Sequence, residues 1–543
     1  MKNILKISLV LGSLFFLSVS CETGELDLLT SPNDITEDSA DPTFVLNDIQ
    51  LKFIDGYEGL NQLSMQLTAH VNLFGSYNGA VDGLTLSGDT GEWATFYQMF
   101  ANIDLLEDIA GATESGLTNH VALAQIIEAY TYMILVDYVG DVPFSEANNP
   151  EEFPNPSVDD GRTIYEAQIA LLDEAIANLN IGANQLPEDL FFGTFVAQNW
   201  IQVANTLKLR AYVNIGKVDA AAGSAGISAV LSTGNYINEN TEDFEFKYSN
   251  AAAPVDSRHP LFSTNYLAAG GAVYVSNNML DLLNAGDDQP PFVETGIPDP
   301  RLRYYVYRQR DQAPSGSNLP CDGDGNYFYC YVGNKYWGRD RNDESGIPND
   351  GIRRSLYGIY PIGGAFDKDE FVRGVAAPSL GGQGIQPLYL ASYTYFALAE
   401  SALRIGSGGG TPVSLMEQGI RLNMDKVKNF APSSSTGTFA MTQADIDAYV
   451  GRVLAEYNAA DANGKLAVIS REFYLATYGC GPEVYNLYRR TGYPDLQSPV
   501  SAAGPFPRSF RYPDDEVINN PNISQKPNTD QVFWDNNPTG FID

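Results

Sequence analysis

Two apolar stripes at helical spacing, starting about 33 residues apart, restrict this chain more than any other feature. From Thr163, with Glu166 three residues on in the order of a capping box, Ile164, Ala167, Leu171, Ala175 and Leu179 fall on one helix face. Val196, Trp200, Val203, Leu207 and Ala211 repeat the pattern. A helix with one apolar face must bury it against a neighbour, and two such helices close in sequence make a helix–turn–helix hairpin.

The spacing has the size of a tetratricopeptide unit, although the Trp-Leu-Gly-Tyr signature of that repeat is missing. Further helices follow the same logic. Leu123, Ile127, Tyr130 and Ile134 lie in a segment that is apolar nearly all round, which predicts a buried helix. Leu388–Arg404 and Leu415–Val427 form a pair across a Gly-rich turn, Thr442–Tyr457 carries Ile446, Val450 and Val453, and Leu466, Ile469, Phe473 and Ala476 make another stripe. Between 233 and 385 the stripes vanish and Gly, Pro, Asn, Asp and Tyr dominate. The expected fold is mainly α: one domain over 46–543, with a tetratricopeptide-like helical-hairpin scaffold at 46–232 and 386–500. It supports a long irregular, loop-rich ligand region at 233–385 and ends in C-terminal loops at 501–543. Loops that long usually carry function.

The N-terminus indicates export. Lys2 and Lys6 precede an apolar run from Ile7 to Leu17, and Ser18-Val19-Ser20-Cys21 follows. The run is too short for a permanent membrane helix and has the parts of a secretory signal peptide, here residues 1–20. Cys21 resembles the acylated cysteine of a bacterial lipobox, with Leu17 one place further back than usual. Residues 21–45 read as an acidic tether, and Glu22-Thr23-Gly24-Glu25-Leu26-Asp27 resembles the surface-export signal of Bacteroidetes lipoproteins. Net charge is −35, and about −37 without the two leader lysines. That field repels nucleic acid and anionic lipid and suits an unphosphorylated ligand. The membrane is then reached through the lipid anchor alone. Cys321 and Cys330 flank a short segment that a disulfide could close in oxidising surroundings, while Cys480 remains as a buried thiol.

Seven stretches in order are similar to the SusD/RagB family of outer-membrane nutrient-binding lipoproteins, in its SusD-like branch. They are Leu135 to Ala147, Tyr165 to Leu179, Ala204 to Arg210, Asp299-Pro300-Arg301-Leu302, Gly338-Arg339-Asp340 to Gly363-Gly364, Arg489 to Pro494, and Phe506 to Pro513. The resemblance covers nearly the whole mature chain. It implies an α-rich fold with tetratricopeptide-like pairs, a TonB-dependent SusC-type barrel as partner, and an oligosaccharide trapped between barrel and lid.

Glycan recognition needs flat aromatic faces beside planar polar groups. The middle region supplies Tyr327, Tyr329, Tyr331, Tyr336 and Trp337 beside Asn334, Arg339 and Asp340. A second cluster, Phe74-Gly75-Ser76-Tyr77-Asn78, precedes the helix that contains Trp93. The candidate ligand residues are therefore Tyr77, Asn78, Trp93, Tyr327, Tyr329, Tyr336, Trp337, Arg339 and Asp340. Trp93 opens a helical stripe with Phe96, Tyr97 and Phe100, so core packing is its competing role. Arg489 and Arg490 read as helix-end charges rather than ligand groups.

No cofactor is expected. Asp322-Gly323-Asp324-Gly325-Asn326 imitates the start of a calcium loop, but the twelfth position is Gly333, which excludes an EF-hand. An irregular calcium site near Asp322 and Asp324 is the alternative to an acidic turn. His70, His120 and His259 have no metal-ligand spacing, and no nucleophile elbow or phosphate loop is present. The chain thus reads as a binder and not an enzyme. Peptide binding on the same fold is the runner-up, and an outer-membrane glycoside hydrolase is a third reading.

Overall fold

The computed structural model describes residues 40–78, 91–113, 116–267, 273–284, 297–311, 336–344 and 354–542. Helical hairpins dominate both ends of the chain. Helix α1 (Pro42–Leu67) packs on α2 (Glu92–Thr113), α3 (Thr118–Tyr138) on α4 (Gly161–Ile181), and α5 (Ala197–Ile215) on α6 (Ala220–Thr233). After the middle region, α8 (Ala391–Ile405) pairs with α9 (Pro412–Asn429), and α10 (Gln443–Ala459) with α11 (Ala462–Ala476). Helix α12 (Gly481–Thr491) then returns to pack across α1. Between these halves the described residues of the middle region contribute only short pieces, among them α7 (Asn277–Leu283). Residues Pro42–Asp543 form one unit.

Most of the stripe residues predicted from sequence are buried: Ile164, Ala175 and Leu179 on α4, and Trp200, Val203, Leu207 and Ala211 on α5. Ala167 and Leu171 are only half-buried, because the α4 face turns toward Tyr165, Ile169 and Leu172, and Val196 is exposed at the start of α5. Several boundaries differ. Asp160, not Thr163, caps α4, because its side chain accepts from the Thr163 amide at 3.0 Å while Glu166 pairs with Arg162 instead. Helix α1 starts at Pro42, inside the stretch read as tether. Helix α8 starts three residues after Leu388, because β6 (Ile385–Tyr389) is claimed by an antiparallel ladder with β3 (Phe244–Lys247). The remaining ladders are two-residue pairs: β1 (Val142–Pro143) with β2 (Val158–Asp159), and β4 (Val306–Tyr307) with β5 (Leu356–Tyr357). Among the described residues only α3 has the length and apolar character of a membrane span, and it is buried inside the protein.

Close approaches explain two glycines. A Cβ on Gly226 would sit 2.2 Å from the Tyr212 ring, so α6 lies flat on α5 only with glycine there. A Cβ on Gly481 would meet the Asn61 carbonyl at 2.2 Å, where α12 crosses α1.

At the centre lies a polar hub on Asp137, near the end of α3. Its Oδ1 accepts from the Tyr165 hydroxyl and from Trp534 Nε1 at 2.8 Å; its Oδ2 accepts from Arg210 Nη2 at 2.6 Å and Asn486 Nδ2 at 2.7 Å. Four donors thus fill the four lone-pair positions of one buried carboxylate. Arg210 also donates to Glu483 at 2.5 Å, and Arg489 donates to the carbonyls of Asp137 and Arg508, each at 2.7 Å. Arg490 forks onto Glu400 at 2.8 and 3.0 Å. A similar knot ties the middle region down: Arg301 grips Asp299 with two donors and reaches Asn423 of α9 at 2.7 Å. Cys480 is buried with its sulfur 3.3 Å from the Tyr57 hydroxyl, and burial pushes its thiol up to about 12.

Candidate functional site

Four separate stretches of chain converge beyond the C-terminus of α1. Val71 bridges to Val275, and Ser276 to Arg339. The Asn72 amide donates to the Tyr274 carbonyl at 2.8 Å, and Asn342 Nδ2 to the Gly75 carbonyl at 2.7 Å. The Tyr77 amide donates to Ala503, and that of Val500 to Arg341. Residues 70–78, 273–278, 336–344 and 497–503 are therefore braided into one floor. The two aromatic clusters that were far apart in sequence meet here.

Within the floor most candidate side chains are turned inward. Tyr77 is buried edge-on against Phe506, with ring centroids 5.4 Å apart. Tyr336 donates to Asp367 at 3.1 Å beneath the guanidinium of Arg308. Trp337 is 4 % exposed, and its backbone amide donates to Ser355 Oγ at 2.8 Å. Arg339 donates to Asp343 at 2.7 Å, and Asp340 accepts from Asn277 Nδ2 at 2.8 Å. Asn78 is exposed and accepts from Asn528 Nδ2 at 2.8 Å. The solvent side of the floor is formed by Phe74, 38 % exposed and standing edge-on to Tyr274, together with Asn78 and Glu344. Beneath it, Asn72 Oδ1, Trp337 Nε1, Asn278 Nδ2, Asn342 Oδ1 and Gln497 Nε2 are buried and have no hydrogen-bond partner among the described residues. Native interiors leave few such atoms.

Trp93 lies elsewhere. It lines a cleft of ≈ 570 Å³ between α2 and α13 (Asp514–Asn519), with Tyr97, Gln98, Glu516 and Asn519. Its Nε1 donates to Glu516 at 3.2 Å, and its ring is 4.9 Å from that of Tyr97, so the competing packing role accounts for most of its surface. Tyr336 edges a second cleft of ≈ 560 Å³, where Arg303 stacks on Phe439 at 3.9 Å. Tyr327, Tyr329, the cysteines Cys321 and Cys330, the acidic turn of Asp322 and Asp324, and Cys21 with its leader all lie outside the described residues.

Among the described residues no group of His, Cys, Asp and Glu is placed to hold a metal ion. His70 and His259 are buried, which pushes each down to about 3 and keeps the rings neutral. Arg489 and Arg490 sit in the core on carbonyls and Glu400. The part of the site that sequence reasoning missed is the C-terminal segment: Ala503, Glu516 and Asn528 support Tyr77, Trp93 and Asn78 respectively. A loop-like composition gives no signal of such long-range support.

The fold has known counterparts. A chitin-binding SusD homolog from Flavobacterium johnsoniae superposes with a TM-score of 0.62 at 19 % identity, covering 91 % of this chain and 99 % of that one. A SusD homolog from Bacteroides uniformis gives 0.64 at 19 % identity over 91 % and 99 %. A SusD/RagB family protein from Bacteroides thetaiotaomicron gives 0.68 at 16 % identity over 92 % and 100 %. At these identities the likeness is one of fold. No curated protein sequence matches significantly. The model of a SusD-like family, described as starch-binding and associating with the outer membrane, matches residues 32–513. Nearly the whole chain is thereby accounted for, and it belongs to the SusD-like family.

Proposed function

We propose that this protein is a cell-surface binder of oligosaccharide, anchored through lipid on Cys21, that closes as a lid over a SusC-type TonB-dependent transporter and passes its ligand on unchanged. The observation that carries the reading is the floor: an exposed aromatic ring and an exposed amide stand above buried polar atoms that have no partner among the described residues. Sugars present apolar C–H faces and hydroxyls together, and this surface answers both. The family description supports a glycan, and so do two chitin-binding proteins among the structural neighbours.

The test is calorimetric titration of the protein lacking residues 1–21 against neutral oligosaccharides and, in parallel, mixed peptides. The expected result is saturable heat from one glycan class, at least tenfold weaker in Phe74→Ala and Asn78→Ala, with the sugar recovered intact. Heat from peptides alone moves the reading to a peptide binder, and a shortened sugar makes the protein a hydrolase.

A further inference from the structure

A third cleft, of ≈ 600 Å³, opens on the outer side of α1 where β3 and the loop 249–258 face it. Its walls are apolar and aromatic, with Ile54, Phe246, Tyr248 and Pro260 lining it and Leu51 and Val255 exposed at 52 % and 76 % on its rim. Exposed aliphatic side chains beside an open cleft favour a ligand with an apolar body. One carboxylate lining the cleft, Glu58, is only 7 % exposed. It accepts from Asn61 Nδ2 at 3.3 Å and Gln62 Nε2 at 3.1 Å, which leaves lone pairs over, and among the described residues no cation pairs with it.

The cations of the cleft are already engaged. Arg258 forks onto Asp256 at 2.6 and 2.8 Å, Lys52 lies 3.9 Å from Asp48, and Lys247 lies 3.8 Å from Glu245. Asp55 lines the same cleft. Next along α1, a Cβ on Gly59 would fall 1.8 Å from Glu92 Oε1, so the Glu92 carboxyl lies over Gly59. Glu92 Oε2 is buried and has no hydrogen-bond partner among the described residues. Burial, with Asp55 adding to it, pushes both Glu58 and Glu92 up to about 7. Asp55 and Glu58 thus share the cleft without an ion pair among the described residues, while its three cations pair with other carboxylates. Metal coordination is not what the geometry offers, since no described group qualifies.

We propose that this cleft binds a primary ammonium group carried on an apolar or ring-shaped body, with Glu58 receiving the charge at the foot of the cleft. An ammonium supplies the donors and the charge that the carboxyls lack, and the aliphatic and aromatic walls cover the carbon skeleton. The same chemistry is offered by an amino sugar with its nitrogen free and by the amino terminus of a peptide.

The experiment titrates the protein lacking residues 1–21 with a glucosamine oligomer against its N-acetylated form, and with a short peptide against its N-acetylated form. Binding by the free amine of either pair, at least tenfold tighter than by its acetylated form, is expected, and the pair that responds identifies the source. Glu58→Gln should abolish that difference. Lys247→Met, an exposed change that removes a cation from the rim, should tighten amine binding. Because the amine needs Glu58 ionised, binding near pH 6.5 should release a proton, and affinity should fall by up to about tenfold per unit below about pH 7. The charged and titratable groups around Glu58 in that titration are Lys52 and Asp55 on its own helix, Lys247 and Tyr248 on β3, Tyr357 on β5, and Asp256 and Arg258 on the loop. Equal affinity for both members of each pair, a difference that survives Glu58→Gln, Lys247→Met binding no more tightly, or binding with no proton release would each overturn the proposal. Neutral oligosaccharides binding at the floor would be untouched by Glu58→Gln, so the two sites fail or succeed separately.

Discussion

The Asp137 hub and the loop floor are both buried, both polar and both assembled from stretches far apart in sequence, yet they treat their polar atoms differently. At the hub one carboxylate takes four donors, and only Arg210 Nη1 and Arg489 Nε are left over around it. At the floor an indole N–H, three asparagine side chains and a glutamine amide each keep an atom without a partner. A satisfied network specifies one arrangement, while unmet donors and acceptors cost stability unless something else answers them. On the proposed function, the contrast separates the region that defines the fold from the region that meets the ligand.

Breaking the hub gives the largest effect. Asp137→Ala leaves Arg210 buried with only Glu483 and removes the acceptor for Trp534, so about 3–5 kcal/mol of stability should be lost, measured by urea unfolding. A hub variant that unfolds like the wild type would erase the distinction between the regions. Acid sharpens it next. Burial alone would raise the Glu400 carboxyl, but Arg490 and Arg404 hold it down to about 2. A carboxylate lowered in the folded state contributes stability above its unfolded value and loses it as pH falls. The wild type should therefore lose about 3 kcal/mol between roughly pH 5 and 2, and Glu400→Gln should lose correspondingly less in denaturation series across that window.

At the floor the effects on stability should be smaller. Trp337→Phe gives up a partnerless N–H and leaves a cavity, so about 1–2 kcal/mol is expected from its melting curve, with a larger proportional loss in glycan affinity. Phe74→Ala and Asn78→Ala should shift stability by no more than about 0.5 kcal/mol while weakening glycan binding at least tenfold. If these two destabilise as Asp137→Ala does, the floor is structural and the comparison collapses.

The scaffold was legible because its helices announce themselves by periodicity, and most residues of the α4 and α5 stripes are buried. The stretches that carried the family resemblance were legible for a different reason: Asp137, Tyr165, Arg210, Arg489 and Arg508 are hub or core residues with fixed partners. They report the fold rather than the ligand. Sequence spacing could not say that Tyr77, Tyr336 and Trp337 turn inward, because facing depends on which loops cross. Nor could it place Glu92 of α2 over Gly59 of α1, which depends on how the two helices cross. The β3–β6 ladder was hidden because its two strands are separated by the whole middle region.

The position of Trp534 in the hub has a consequence for how the molecule is made. This indole is fully buried and donates to a carboxylate 397 residues earlier, and Arg508 and Asp535 lock the tail around it at 2.6 Å. During synthesis, every chain shorter than this point has an Asp137 short of one donor and a gap where the indole belongs. A chain cut between Asn519 and Trp534 therefore keeps every described helix of the scaffold and still lacks the group that closes its centre.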